Sequence, residues 1–484
     1  MKFLQDQDKS LGTRAESMSR RASNSTLLSL AVTAMLAGSA SASTLLDPLP
    51  EHSTTRFGQT IVTMPDLNGD GVPDLAVAAP FQDGDFDSAD SSYGKPQNVG
   101  KIFLLDGANL SILNELTDPE FERIQQKHFG GQLGAAMASV ADLNGDGVGD
   151  LLAGVPRHDA DSGGRGNFIH AGEAFVFSGE DGAVIFTLTD PTTEEDGRMG
   201  AAVAGLGDVD ADGVPDLLVG VPGKDIGGEE GLVDVGLAYV FSGKSGQVIR
   251  TLNHPASEGS EAGAGFGSAV ANAGDVDKDG VSDMLIGAPG EGHAYVFSGK
   301  TGSLIFNMVG PFAESLHSFG TAVAGGMDFN RDRIPDLVVG APLQEEVRGA
   351  AYIFNGSDGS LQRTLLPEHR QRFAQFGAAL CVASDLTGDR RPDIVIGVPG
   401  QNVNNLSQAG AITVFDGKRG RIAETINSAV PQRRALFGAA VTAADFSGHG
   451  VATVVAGTPN QDTSIDFGTG SHPYLEIGQI EIQP

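Results

Sequence analysis

The sequence predicts an all-β protein: a seven-bladed β-propeller of four-stranded blades, its ring closed by the N-terminal strand. Three observations carry this prediction. A nine-residue aspartate phrase recurs six times in register, first as Asp66-Leu-Asn-Gly-Asp-Gly-Val-Pro-Asp74. Each occurrence runs into a short, continuously apolar segment that ends in proline, as in Asp283-Met-Leu-Ile-Gly-Ala-Pro289. Two further strand-like runs separated by glycine turns complete each copy, and no helical periodicity competes beyond the N-terminus.

Each copy opens on a glycine pair: Phe57-Gly58, Phe129-Gly130, Met199-Gly200, Phe266-Gly267, Phe319-Gly320, Phe376-Gly377 and Phe437-Gly438. A first strand of small and apolar residues leads to the aspartate phrase. The apolar run after it has the length and composition of a strand buried on both faces. A third strand follows, clearest in Ala174-Phe-Val-Phe177 and Ala294-Tyr-Val-Phe297. Turns such as Ser242-Gly-Lys-Ser-Gly246 then lead to a fourth, such as Val248-Ile-Arg-Thr-Leu252. Four strands per unit at a spacing of roughly 53–76 residues describe propeller blades. The seventh copy has Gly478-Gln-Ile-Glu-Ile482 as its third strand and no fourth. Ser43-Thr-Leu-Leu-Asp-Pro48 matches the fourth strand of copy two (Phe186-Thr-Leu-Thr-Asp-Pro191), so it is expected to pair there and close the ring.

The aspartate phrase has the chemistry of a calcium loop. Oxygen side chains at positions 1, 3, 5 and 9 suit a hard cation, position 7 adds a backbone carbonyl, and glycine at position 6 allows the sharp turn. The expected ligands are Asp66, Asn68, Asp70, Val72 and Asp74 in copy one. Copy two supplies Asp142, Asn144, Asp146, Val148 and Asp150. Copy three supplies Asp208, Asp210, Asp212, Val214 and Asp216, and copy four Asp275, Asp277, Asp279, Val281 and Asp283. Two looser loops hold Asp328, Asn330, Asp332, Ile334 and Asp336, then Asp385, Thr387, Asp389, Arg391 and Asp393. Copies five and six carry Arg333 and Arg390 at position 6, so four strong and two weaker Ca²⁺ sites are expected. Copy seven has His449 and Thr453 in place of two carboxylates and is expected to hold no ion.

Phe-Gly openings, the D-x-[DN]-x-D-G-x-x-D loop and the Gly-Ala-Pro ending together resemble the FG-GAP repeat, the unit of the seven-bladed propeller in integrin α subunits. The resemblance runs from about Phe57 to the end of the chain. It implies calcium in the loops between strands one and two, on one face of the disc. The integrin legs and partner subunit are not encoded here.

The remaining sequence narrows the function. With 31 Lys+Arg against 62 Asp+Glu, the net charge of −31 disfavours nucleic acid and anionic membrane as partners. Residues 1–42 form a secretory signal: Arg20 and Arg21, an apolar run from Leu27 to Ala37, and Ala40-Ser41-Ala42 as cleavage site, with Met18 as an alternative start. Residues 43–484 form the single propeller domain, with no transmembrane segment in the mature chain, placed outside the cell or in a periplasm. The single cysteine, Cys381, lies in an apolar strand and has a packing role. Gly243-Lys-Ser245 and Gly299-Lys-Thr301 mimic a phosphate loop but lack its upstream glycine, so they are hairpin turns. Long, mostly acidic loops between strands two and three (Asn460–Glu476, Phe81–Val99, Arg157–Ala171, Gly223–Val235) belong to consecutive blades and should form one raised rim opposite the calcium loops. The expected function is an adhesion module for an extracellular protein or glycan. The alternative is an extracellular polysaccharide lyase or hydrolase on the same scaffold.

Overall fold

The computed structural model describes residues 55–83, 98–119, 130–161, 167–225, 232–255, 262–311, 318–344, 348–428, 431–446, 452–460 and 479–483. They form an all-β propeller of six four-stranded antiparallel sheets and a three-stranded seventh. The first sheet shows the pattern: Thr60–Met64, Asp74–Ala79, Lys101–Leu105 and Ile112–Thr117, each hydrogen-bonded to the next. The second sheet adds a two-residue ribbon, Ala160–Asp161 with Asn167–Phe168, between its second and third strands.

Burial follows the expected radial order. Second and third strands are sealed along their length, because neighbouring blades cover both faces. Fourth strands bury one leucine-like residue and leave the rest at the rim: Leu116, Leu188, Leu252, Met308 and Leu365. First strands adjoin one another around the axis, and Thr60–Met64 of the first sheet adjoins Val441–Ala444 of the seventh. The hydrophobic core is divided among the gaps between adjacent sheets. One such cluster joins Phe57, Leu75 and Phe103 of the first sheet to Phe446 and Val455 of the seventh.

The repeated glycines explain how close these gaps are. A Cβ on Gly220 would lie 2.0 Å from the carbonyl oxygen of Gly267 in the next sheet, and Gly287, Gly340 and Gly397 face Gly320, Gly377 and Gly438 in the same way. The Gly-x-Pro glycine therefore packs on the opening glycine of the next blade, where no side chain fits. Gly457 meets Gly58 at 1.8 Å by the same measure, so the junction between last and first sheets copies the others.

Three expectations are corrected or left open. The described residues contain six four-stranded blades, not seven. The seventh copy gives Val441–Ala444, Thr453–Thr458 and Gln479–Gln483 only. Residues 43–48, and the signal segment before them, lie outside the described residues, so closure by the N-terminal strand is not among the observed pairings. Copy two does not open at Phe129-Gly130. Leu133-Gly134 takes that place: Leu133 is buried, and the Gly134 N–H donates to the Gly154 carbonyl at 3.1 Å. The equivalent bond in blade one runs from Gly58 to Ala78.

Candidate metal centres

The six aspartate loops connect first and second strands; the first five share one hydrogen-bond plan, and in copy six only the position-1 part of it recurs, with Asp385 accepting from Gly388, Asp389 and Arg390. In copy one, Asp66 Oδ1 accepts from the N–H groups of Gly69 (2.7 Å) and Asp70 (3.1 Å), and Oδ2 accepts from Gly71 (2.7 Å). Asn68 Oδ1 accepts from Asp70 N–H, and Asp70 Oδ1 from Val72 N–H. Copy two repeats every one of these bonds with Asp142, Asn144 and Asp146. Copies three and four keep the bonds to positions 5, 6 and 7 through Asp208, Asp210, Asp212 and through Asp275, Asp277, Asp279. In copy five Asp328 accepts from Arg331 and Arg333, Asn330 from Asp332, and Asp332 from Ile334. The carboxylates are thus turned inward over their own backbone, which gathers their remaining lone pairs into a small space.

Position 9 has a second task. Asp74, Asp150, Asp216, Asp283, Asp336 and Asp393 are fully buried. One oxygen accepts from the position-2 N–H: Leu67, Leu143, Val209, Val276, Phe329 and Leu386 respectively. The other accepts from the glycine that opens the turn between third and fourth strands: Gly107, Gly179, Gly243, Gly299, Gly356 and Gly417. This aspartate latches two turns of the blade together. The Gly-Lys-Ser and Gly-Lys-Thr segments are these turns, with Lys244 and Lys300 donating to the carbonyls of Asp212 and Asp279.

Electrostatics separates the outer from the buried carboxylates. The Gly71 N–H above all, with the N–H groups of Gly69 and Asp70 and against opposing desolvation, holds Asp66 below its usual range. Burial drives the position-9 group the other way. Asp150 and Asp283 are pushed up to about 6, and Asp74, Asp216 and Asp336 are also raised, with nearby loop carboxylates adding to the shift.

The donor set fits a hard divalent cation. It is all oxygen. Carboxylate oxygens of Asp208, Asp210 and Asp216, and of Asp275, Asp277 and Asp279, lie within 4.8 Å of one another. Both oxygens of Asp389 are buried without a hydrogen-bond partner, with Lys418 and Arg419 no closer than 3.8 and 3.9 Å. The position-7 side chains Val72, Val281 and Ile334 pack into the core and anchor the loop, while Arg391 instead reaches the Phe329 carbonyl at 2.9 Å. Arg333 and Arg390 take left-handed backbone (φ 68° and 62°), as the missing glycine required. A second left-handed position was not foreseen: position 4 holds Ala211, Lys278 and Arg331 at φ 63–68° in copies three to five. The loop of copy seven lies largely outside the described residues, as does most of the long-loop rim.

Sequence reasoning also missed a set of polar contacts on the opposite side, between adjacent blades. Lys224 Nζ meets Asp190 Oδ2 at 2.8 Å and Glu194 Oε2 at 3.3 Å, and Tyr239 donates to Asp190 at 2.7 Å. Burial opposes the Asp190 charge, but these donors hold it below the usual carboxylate range. His254 meets Glu291 at 2.8 Å, and Tyr295 donates to the same oxygen at 2.6 Å. The available signal was positional: each partner from the following blade lies two residues past the Gly-x-Pro proline.

Comparison with known proteins agrees with this geometry. Residues 57–105, 266–304, 319–354 and 376–415 match the FG-GAP repeat. These are the first, fourth, fifth and sixth copies; copies two, three and seven fall outside. Integrin alpha-2 of Mus musculus is 34% identical over 184 residues, 34% of this chain and 15% of the relative. Integrin alpha-11 of Homo sapiens is 33% identical over 165 residues (31% and 14%). Integrin alpha pat-2 of Caenorhabditis briggsae is 30% identical over 254 residues (47% and 19%). The match therefore spans less than a fifth of these relatives' length. The chain carries FG-GAP repeats and is an integrin α-like propeller.

Proposed function

We propose that this FG-GAP, integrin α-like propeller is an extracellular or periplasmic ligand-binding module of the adhesion type, with Ca²⁺ in its aspartate loops. The observation that carries the reading is the division of labour between the two faces. One face is committed to six oxygen-rich loops latched to the neighbouring hairpins by buried aspartates. That leaves the loops between second and third strands for recognition, as their length and variety suggest.

The ion would be held by side chains at positions 1, 3, 5 and 9 and the carbonyl at position 7. Bound there, it supplies the positive charge that gathered carboxylates lack. The loop backbone is already turned by Asp66, Asp142, Asp208 and Asp275, so little further ordering is needed on binding. Copies one to four are the stronger sites, and five and six the weaker.

The ligand class is protein or glycan, and the experiment is direct. The Ca²⁺-loaded protein is run on protein and glycan arrays, with and without chelator, beside a polysaccharide lyase and hydrolase screen. Saturable, Ca²⁺-dependent binding without turnover supports the reading. Turnover abolished by removing one carboxylate on the recognition face would replace it with the enzyme alternative. The absence of any ligand in the presence of Ca²⁺ would sink it.

A further inference from the structure

Between the first and second blades, on the side opposite the aspartate loops, three donors converge: Asp118, His158 and Glu173. Asp118 follows the last strand of blade one, Ile112–Thr117. His158 follows the second strand of blade two, Asp150–Val155, and Glu173 begins its third strand, Glu173–Phe177. One ligand atom from each lies within 4.8 Å of the other two. Asp118 and Glu173 are 5% exposed, and the His158 side chain 12%. We propose that this triad is a transition-metal site, with Zn²⁺ as the fitting ion, separate from the calcium loops.

Three arguments support it. The donor set is one imidazole nitrogen and two carboxylates, which favours Zn²⁺ and its neighbours over Ca²⁺. The spacing is close to what a metal requires. With bonds of about 2.0–2.1 Å, two tetrahedral ligands sit about 3.3 Å apart, and His158 Nδ1 lies 3.2 Å from Glu173 Oε1. The third argument comes from the next junction, where the corresponding place is already a cation seat. Lys224 occupies the position of His158 there, and its ammonium lies between Asp190 and Glu194. In the first junction the lysine is replaced by a ligating side chain, so a metal ion would supply the charge that Lys224 carries.

The scaffold holds the histidine ready. The His158 N–H donates to the Val155 carbonyl at 3.1 Å, and its own carbonyl accepts from Gly172 N–H at 2.9 Å. Glu173 is fixed in register opposite both Val155 and Thr189. Because the ligands come from two blades, the ion would bridge a junction as well as fill a site.

The test uses the full chain in excess Ca²⁺, which keeps the aspartate loops occupied. Co²⁺ is titrated in while visible absorption is followed, then displaced with Zn²⁺. The expected result is one equivalent of Co²⁺ with the intense bands of a low-coordinate site containing nitrogen. Affinity should fall in His158→Gln and Asp118→Asn by at least the roughly 10–100-fold that losing a mere orienting partner of a ligand costs. Thermal melting in Ca²⁺ confirms that each variant is folded. A second measurement needs no variant: Zn²⁺ should protect His158 from diethyl pyrocarbonate. Zn²⁺ affinity unchanged in a folded His158→Gln, a Co²⁺ spectrum of six-coordinate oxygen type, or unprotected His158 would each overturn the proposal.

Discussion

Removing the cation should make stability depend on pH in an unusual direction. Asp150 and Asp283 have an ordinary carboxyl value of 3.8 and are pushed up to about 6 by burial in the folded protein. The folded chain therefore retains protons between these values that the unfolded chain releases. Their contribution is most favourable below the unfolded value and is lost as pH rises through about 6. At full weight such a shift corresponds to about 3 kcal/mol per group. The loops are open to water on their outer side, and screening reduces this to about 1–2 kcal/mol each. Two groups then give about 2–4 kcal/mol, or a few degrees in Tm for a chain of this size. Melting is followed by circular dichroism from pH 7.5 to 4, with chelator or with saturating Ca²⁺. The chelated protein should gain a few degrees toward pH 4, and the Ca²⁺-loaded protein should stay level or decline, so the two curves converge. Parallel curves would refute the reasoning, because general relief of the negative charge acts on both samples.

Four other outcomes are expected. Asp70→Ala and Asp146→Ala should remove more of the Ca²⁺-dependent rise in Tm than Asp389→Ala, whose loop carries Arg390 and the nearby Lys418; calorimetry with and without Ca²⁺ measures the difference. Gly340→Ala places a Cβ about 2.2 Å from the Gly377 carbonyl oxygen and should cost about 2–4 kcal/mol in denaturant unfolding. Gly71→Ala meets no atom within 4 Å and bears only its φ of 86°, so about 1 kcal/mol is expected. Burial pushes the Cys381 thiol up to about 11, so iodoacetamide at pH 8 should label it in denaturant and leave the native protein nearly untouched.

Much of the fold was legible because the local signals agree with one another. The second strands are unbroken apolar runs between an aspartate and a proline, a pattern with few other solutions. The loop chemistry was legible for the same reason: carboxylates at positions 1, 5 and 9 recur with their turn residues. Copy two misled because Phe129-Gly130 spells the motif four residues before Gly134, the glycine whose N–H donates to the Gly154 carbonyl, and pairing geometry, not spelling, decides which glycine serves. The double role of position 9 was invisible because its second partner, such as Gly107 for Asp74, lies 33 residues away and donates only a backbone N–H. The junction contacts were missed because Asp190–Lys224 and His254–Glu291 exchange the places of acid and base. A search for one residue type at a fixed position does not find them.

The meeting of Gly457 with Gly58 has a mechanical consequence. In a ring of sheets built from one chain, one junction is crossed by no blade-to-blade connection, and here it lies between the seventh and first sheets. Here the suture is stitched with the same glycine-on-carbonyl contact as its neighbours, and the Thr63 and Thr442 hydroxyls lie 2.8 Å apart across it. That seam is therefore held by packing and by this hydroxyl pair rather than by a covalent crossing.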